Sequence, residues 1–243
     1  MSRFVYLLLL LIFFLPHAGQ AQNQKAEAEI DSIMKSMKTV GLAAVVVKDG
    51  KIIYEHAFGY KNLETKTPLQ NDNLFRIASI SKSFSATSVM QLVDQQKLSL
   101  DDDVSKLVGF KIRNPKFPET PITLKMLLSH RSSLNDSQGY FSLDYINPAT
   151  NPNWAKCYNN YKPGSDYQYC NLNFNLVGTI IEKTSGERFD QYVKHHVLDP
   201  LKLYGGYCVD SLDKNRFATL YEYNAKADSF AAAANAYAPR SEE

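Results

Sequence analysis

Apolar residues recur at helical spacing at Ile30, Ile33, Met34 and Met37, which predicts an amphipathic helix from Gln24 to Thr39 that Gly41 ends. Leu42 to Lys48 is β-branched and apolar, Asp49-Gly50 is a favoured two-residue turn, and Lys51 to Phe58 returns with Ile52, Ile53 and Tyr54. An antiparallel hairpin is expected there. Ser79 to Gln96 carries Phe84, Val89, Met90, Leu92 and Val93 without Gly or Pro, the pattern of a long, largely buried helix. Thr123 to His130 reads as a short helix, Ser142 to Tyr161 as an Asn- and Tyr-rich loop, and Asn171 to Lys183 and Phe189 to Leu198 as two further helices. Phe217 to Tyr223 is expected as a strand ahead of the Ala-rich stretch Ala231 to Ala238. No internal repeat is present, so the pattern is a helix and hairpin followed by a mainly helical middle.

Arg3 precedes an apolar run from Phe4 to Leu15, then Pro16 and the small residues Gly19 and Ala21. This has the form of a secretory signal peptide over residues 1–21, leaving a domain over 22–243. The run is well short of the roughly 20 residues that span a bilayer. The expected location is periplasmic or secreted, without a stable membrane anchor after cleavage. Export would expose Cys157, Cys170 and Cys208 to oxidation, and three cysteines permit one disulfide without compelling it. A 44% hydrophobic chain excludes general disorder. Lys plus Arg number 27 against 25 acids, with no long basic run, so nucleic acid is not an expected partner.

The chain has no G-x-S-x-G, G-x-G-x-x-G, G-x-x-x-x-G-K, H-E-x-x-H or C-x-x-C. Asp101 to Asp103 read as a helix N-cap for the turn holding Val104 and Leu107, in preference to a metal site. His195 and His196 are helix neighbours that face different directions, which favours surface or packing roles over shared metal ligation. Serine chemistry remains. S-x-x-K places an amine one turn from a hydroxyl, and it occurs at Ser32/Lys35, Ser79/Lys82 and Ser211/Lys214. Only the Ser79 pair opens a long apolar helix, where buried surroundings and helix N-terminal amides are expected. Y-x-N occurs at Tyr60, Tyr145, Tyr158 and Tyr169, and the last follows Pro163-Gly164 and leads straight into a helix.

Two segments carry a resemblance. Phe75-Arg76-Ile77-Ala78-Ser79-Ile80-Ser81-Lys82 and Pro163-Gly164-Ser165-Asp166-Tyr167-Gln168-Tyr169-Cys170-Asn171 resemble the first two motifs of the serine β-lactamase-related hydrolases, a family of class C β-lactamases, DD-peptidases and esterases. Leu98-Ser99-Leu100-Asp101-Asp102, Leu127-Leu128-Ser129-His130 and Val197-Leu198-Asp199-Pro200-Leu201 agree in order and spacing, so the likeness covers about residues 25 to 210. It implies an α/β (α+β) fold of β-lactamase/transpeptidase type, in which an antiparallel sheet is flanked by helices and a mainly helical region is inserted. It also implies that Ser79 is the acylated nucleophile, Lys82 its activating partner, Tyr169 a proton shuttle and Asn171 a substrate-orienting amide. No metal or organic cofactor is implied, and the partner is a small-molecule or peptide substrate. Lysine and tyrosine ordinarily titrate near roughly 10, so the site must make one of them a base at neutral pH. Either takes the proton.

The chain departs from the family at two places. Ser133 stands where the family usually has Gly, and no Lys or His followed by Thr or Ser and then Gly lies on a strand after Asn171. Lys183-Thr184-Ser185-Gly186 has one residue too many and lies between helices. The missing motif would supply a second oxyanion amide, so a chain truncated before its last strands is expected. The activity read here is acyl transfer through Ser79 on a β-lactam, a D-alanyl peptide or a small ester. The alternative is a non-catalytic binding relative or an inactive fragment. His130 is expected to pack or cap, and Trp154, Tyr158 and Tyr161 are read as lining a cleft, with core packing the alternative.

Overall fold

Asp49 and Gly50 both take positive φ (51° and 71°), the conformation a tight two-residue hairpin turn demands. In the computed structural model, which describes residues 23–233, this turn joins β1 (Gly41–Lys48) to β2 (Lys51–Asn62). The hairpin is antiparallel, with Lys48 opposite Lys51, Gly41 opposite Gly59, and a register shift between Val46 and Val47. β2 runs past the expected end at Phe58 and there pairs with β3 (Thr67–Pro68). The proposed signal peptide and all of the Ala-rich stretch beyond Ala233 lie outside the described residues.

The described residues divide into two compact units, one of residues 23–76 and 213–233, the other Ile77–Leu212. The first holds helix α1 (residues 23–36), the three-stranded sheet β1-β2-β3, and a separate hairpin of β4 (Tyr221–Asn224) and β5 (Ser229–Ala232). The strand expected from Phe217 is thus corrected: it starts at Tyr221. Phe217 instead forms an isolated parallel bridge with Leu74, fixed by Leu74 N–H donating to Arg216 O and Ala218 N–H to Leu74 O. Gly59 has φ 73°, and a Cβ there would stand 2.2 Å from Val40 O, so only glycine fits where β2 crosses the entry to β1.

The second unit is helical. A 3₁₀ turn (Ala78–Ser81) leads into α2 (Lys82–Asp94), followed by α3 (Val104–Val108), α4 (Leu124–Leu128), α5 (Leu172–Ser185) and α6 (Phe189–Val193), which continues as a π turn through Lys194–Leu198. Its core joins Val89 and Leu92 of α2 to Leu124 and Leu127 of α4 and Leu172, Leu176, Ile180 and Ile181 of α5. Each such side chain contributes about 1.5–3 kcal/mol by leaving water. α2 buries one face only, Ser85, Ser88, Val89 and Leu92, and leaves Met90 exposed, which corrects the expectation of a largely buried helix.

Asp103 caps α3 as expected, accepting from Ser105 N–H at 3.0 Å, and its carboxylate is also held by the Arg113 guanidinium. All three cysteines are free thiols. Trp154 and Tyr158 meet edge to face, Tyr158 is buried in the core, and Trp154 is half-buried and packs against it; Tyr161 is half-buried and accepts from Asn159 Nδ2. The cleft-lining reading of Tyr158 is therefore corrected to its alternative. Lys183 to Gly186 ends α5, with Lys183 Nζ donating to Val108 O and Gly186 in the left-handed C-cap conformation. His195 and His196, expected to diverge, both reach the Glu187 carboxylate, at 3.4 and 2.7 Å, from the π turn. Among the described residues no group of three or more His, Cys, Asp or Glu is arranged to hold a metal, and no helix is long and apolar enough to cross a membrane.

Candidate active site

Ser79 sits on the 3₁₀ turn one step before α2, and Lys82 is the first residue of the α-helix, so three residues of tight helical rise bring Lys82 Nζ to 3.1 Å from Ser79 Oγ. Ala78, immediately before the serine, has φ 45°, a left-handed conformation that costs a non-glycine residue about 1–2 kcal/mol. The Tyr207 hydroxyl ties down the far side of the turn, donating to Ser81 O and lying 3.1 Å from Ser85 Oγ.

Tyr169 and Asn171 approach from the start of α5. The Tyr169 hydroxyl is 2.6 Å from Ser79 Oγ, and Lys82 Nζ donates to Asn171 Oδ1 at 2.9 Å. The ammonium also lies over two ring faces, 5.1 Å from the Tyr169 centroid and 5.5 Å from that of Phe174. All four residues that the motifs single out are thus brought together. The serines of the other two S-x-x-K pairs lie elsewhere, Ser32 on α1 and Ser211 on a 3₁₀ turn with its hydroxyl donating to Cys208 O.

Burial pushes the Tyr169 phenol up, but hydrogen bonds from Lys82 and Ser79 and the lysine charge outweigh it, and the net direction is down. A phenol so placed gives up its proton more readily than a free tyrosine, as a base for serine requires.

The expected shelter around the serine is not found. Ser79 is exposed, Ile77 and Ile80 beside it are 41% and 67% exposed, and Tyr169 is 40% exposed. The physical reason is position: the turn precedes the face of α2 that packs into the core, so its side chains project past that core.

Two residues outside the motif assignments frame the site. His130 packs on Tyr169 with ring centroids 4.4 Å apart and planes tilted by 36°, and on Phe174 at 5.4 Å. Its Nδ1 accepts from Cys170 N–H, and Asn173 Nδ2 lies 3.2 Å away, oriented by Ser132 donating to Asn173 Oδ1. Two donors on one nitrogen require a neutral ring protonated at Nε2. Burial, then the Lys82 charge, holds its pKa below the ordinary value. The packing role expected of His130 is what the geometry contains, with Tyr169 as the partner. The other residue is Asp136, whose carboxylate accepts from Asn171 N–H, Asn171 Nδ2 and Leu172 N–H. It lies 35 residues from Asn171, and no local periodicity points to it.

Ser133 adopts φ 67°, the conformation that glycine takes without strain, and Asn114 Nδ2 donates to its buried hydroxyl at 3.0 Å. The loop keeps a glycine-type backbone with serine in place.

With this geometry established, the comparisons are specific. Residues 26–240 match the family model described as Beta-lactamase. Penicillin-binding protein 4* of Bacillus subtilis is 30% identical over 164 residues, 64% of this chain and 35% of that protein. Among solved structures, the octameric penicillin-binding protein homologue from Pyrococcus abyssi is 31% identical with a TM-score of 0.72, covering 86% of this chain and 50% of that one. EstCE1, a hydrolase with promiscuous acyltransferase activity, is 26% identical with a TM-score of 0.73, covering 89% and 60%.

The chain belongs to the β-lactamase family of serine hydrolases, and its fold is of β-lactamase/transpeptidase type. It spans about a third of the length of the curated relatives it matches.

Proposed function

We propose that residues 22–243 belong to an exported serine hydrolase domain that works by acyl transfer through Ser79. The observation that carries the reading is the meeting of three groups: a serine hydroxyl 2.6 Å from a phenol and 3.1 Å from an ammonium. The ammonium donates to Ser79 Oγ, which leaves the serine proton for Tyr169, and the downward direction of the phenol's pKa supports Tyr169 as the base. As Ser79 Oγ forms its bond to the carbonyl carbon, its proton passes to the Tyr169 oxygen. The same proton then goes to the leaving group as its bond to carbon breaks. Water repeats the course in reverse to release the acid and free Ser79. Lys82 stabilises the phenolate, Asn171 holds Lys82, and the Ser79 backbone N–H serves as an oxyanion donor.

The substrate class is an acyl compound: a β-lactam, a D-alanyl peptide or a small ester. A penicillin-binding protein and a hydrolase with promiscuous acyltransferase activity among the relatives support that range. A second reading, a non-catalytic binding relative or an inactive fragment, is favoured by the exposure of Ser79.

Fluorescent β-lactam and fluorophosphonate probes separate the two readings. Labelling of the folded chain that Ser79→Ala abolishes supports the hydrolase. Well-folded protein that takes neither label supports the binder.

A further inference from the structure

Asn171 occupies the N-cap position of α5, a 14-residue helix whose first backbone N–H groups have no partner within the helix. An asparagine there ordinarily bonds one of those groups with its own side-chain oxygen. Asn171 does not: its backbone is already helical, at φ −71° and ψ −32°, and its side chain makes no capping bond. Asp136 takes that role from outside the helix. Its carboxylate accepts from Asn171 N–H at 2.8 Å, Leu172 N–H at 3.0 Å, Asn171 Nδ2 at 2.9 Å and Cys170 Sγ at 3.1 Å.

The chemistry of the two neighbours fixes which way the Asn171 carboxamide points. A carboxylate only accepts and an ammonium only donates. Nδ2 therefore faces Asp136 and Oδ1 faces Lys82 Nζ at 2.9 Å; the flipped amide would set oxygen against carboxylate and N–H against ammonium. Burial works against the Asp136 charge, but the Asn171 and Leu172 N–H groups outweigh it and hold the carboxyl below its usual range, so the anion persists at neutral pH.

We infer that Asp136 is a positioning residue of this site: by capping α5 in place of Asn171, it frees the Asn171 carboxamide and aims its oxygen at Lys82. The inference rests on the reading of Ser79 and Lys82 as the acylating pair. It goes beyond that reading by placing control of the lysine in a loop outside both motifs.

The test is Asp136→Asn in the full chain, which removes the charge at nearly constant volume. Fluorophosphonate labelling of Ser79 is expected to slow roughly 10- to 100-fold. In an Asn171→Ala background the same change is expected to cost less than about threefold, because its route of action is gone, whereas a purely structural role multiplies through. Undiminished labelling, or a full loss repeated in the Asn171→Ala background, overturns the inference. Should Asp136→Asn fail to fold, Asp136→Glu keeps the charge but moves the acceptor; slowed labelling is expected and a wild-type rate overturns it.

If the wild-type chain takes no label, it is the Ser79 reading that fails, and a readout independent of acylation decides on Asp136. The side-chain amide resonances of Asn171, identified by their loss in Asn171→Leu, are expected to shift in Asp136→Asn and to exchange faster with solvent. Unchanged position and exchange overturn the inference.

Discussion

The Tyr169 hydroxyl lies 2.6 Å from Ser79 Oγ, although 90 residues separate the two in the chain. One sits on a 3₁₀ turn and the other just ahead of α5, and Lys82 is within reach of both ends through Ser79 and Asn171. The contact needs no large rearrangement, because α2 and α5 already pack together in one core. Removing the phenol oxygen is therefore expected to matter more than removing its ring.

Tyr169→Phe keeps the ring packed on His130 and deletes the oxygen. Labelling of Ser79 at neutral pH is expected to fall by about 10²–10⁴, the usual worth of a positioned general base. Stopped-flow fluorescence measures the rate, and an unchanged circular dichroism spectrum checks the fold.

The phenol's lowered pKa sets the sign of the pH dependence. Labelling is expected to rise with pH as the phenolate forms, and to level off above the Tyr169 pKa. Lys82 donates to the serine and favours the phenolate through its hydrogen bond and charge, so Lys82→Met is expected to move the rising limb to higher pH and lower its plateau. A limb that moves to lower pH, or stays put, contradicts the assignment of Tyr169 as the base.

Asp103 caps α3 and pairs with Arg113, with both side chains 17% exposed. The Arg113 hydrogen bond, opposed by burial and helped by Ser105 N–H, holds its carboxyl below the ordinary value. A depressed folded-state pKa gives stability that is present above the unfolded value, near roughly 3.9, and is lost as pH falls through the folded one. Asp103→Asn is expected to cost about 2–4 kcal/mol at pH 7 and progressively less as the pH falls from roughly 3.9 towards the folded value. Urea unfolding at a series of pH values checks this, and a gap that stays constant with pH contradicts it.

Gly59→Ala is expected to destabilise the chain by about 2–4 kcal/mol, because the added Cβ meets Val40 O and the backbone is held in a left-handed conformation. The melting temperature reports it. Gly50→Ala, which has the same sign of φ and open space around it, is expected to cost less.

Local chemistry makes the hairpin and the first two motifs legible in the residues alone. Asp49-Gly50 specifies its turn by backbone sterics, and Ser79 with Lys82 is a pair set by helical rise. Tyr169 and Asn171 stand apart from three other Y-x-N matches because a turn precedes them and a helix follows. The rest depends on contacts between distant segments. Asp136 acts across 35 residues, His130 matters through the ring it packs on, and the sharing of Glu187 by His195 and His196 follows from a π turn that periodicity does not announce. The exposure of Ser79 is hidden from the sequence for a similar reason: hydrophobic pattern shows which face of α2 is buried, but not how far a preceding turn projects beyond it. Ser133 shows the converse, a left-handed backbone kept without the glycine that usually marks it.

One hydroxyl, activated by a phenol and an amine, is expected to carry the acyl group, and peptide mapping of the chain after reaction with a fluorophosphonate locates it. A single adduct is expected on the peptide bearing Ser79, formed far more slowly in both Tyr169→Phe and Lys82→Met. An adduct on another serine, or equal rates in all three proteins, would contradict it.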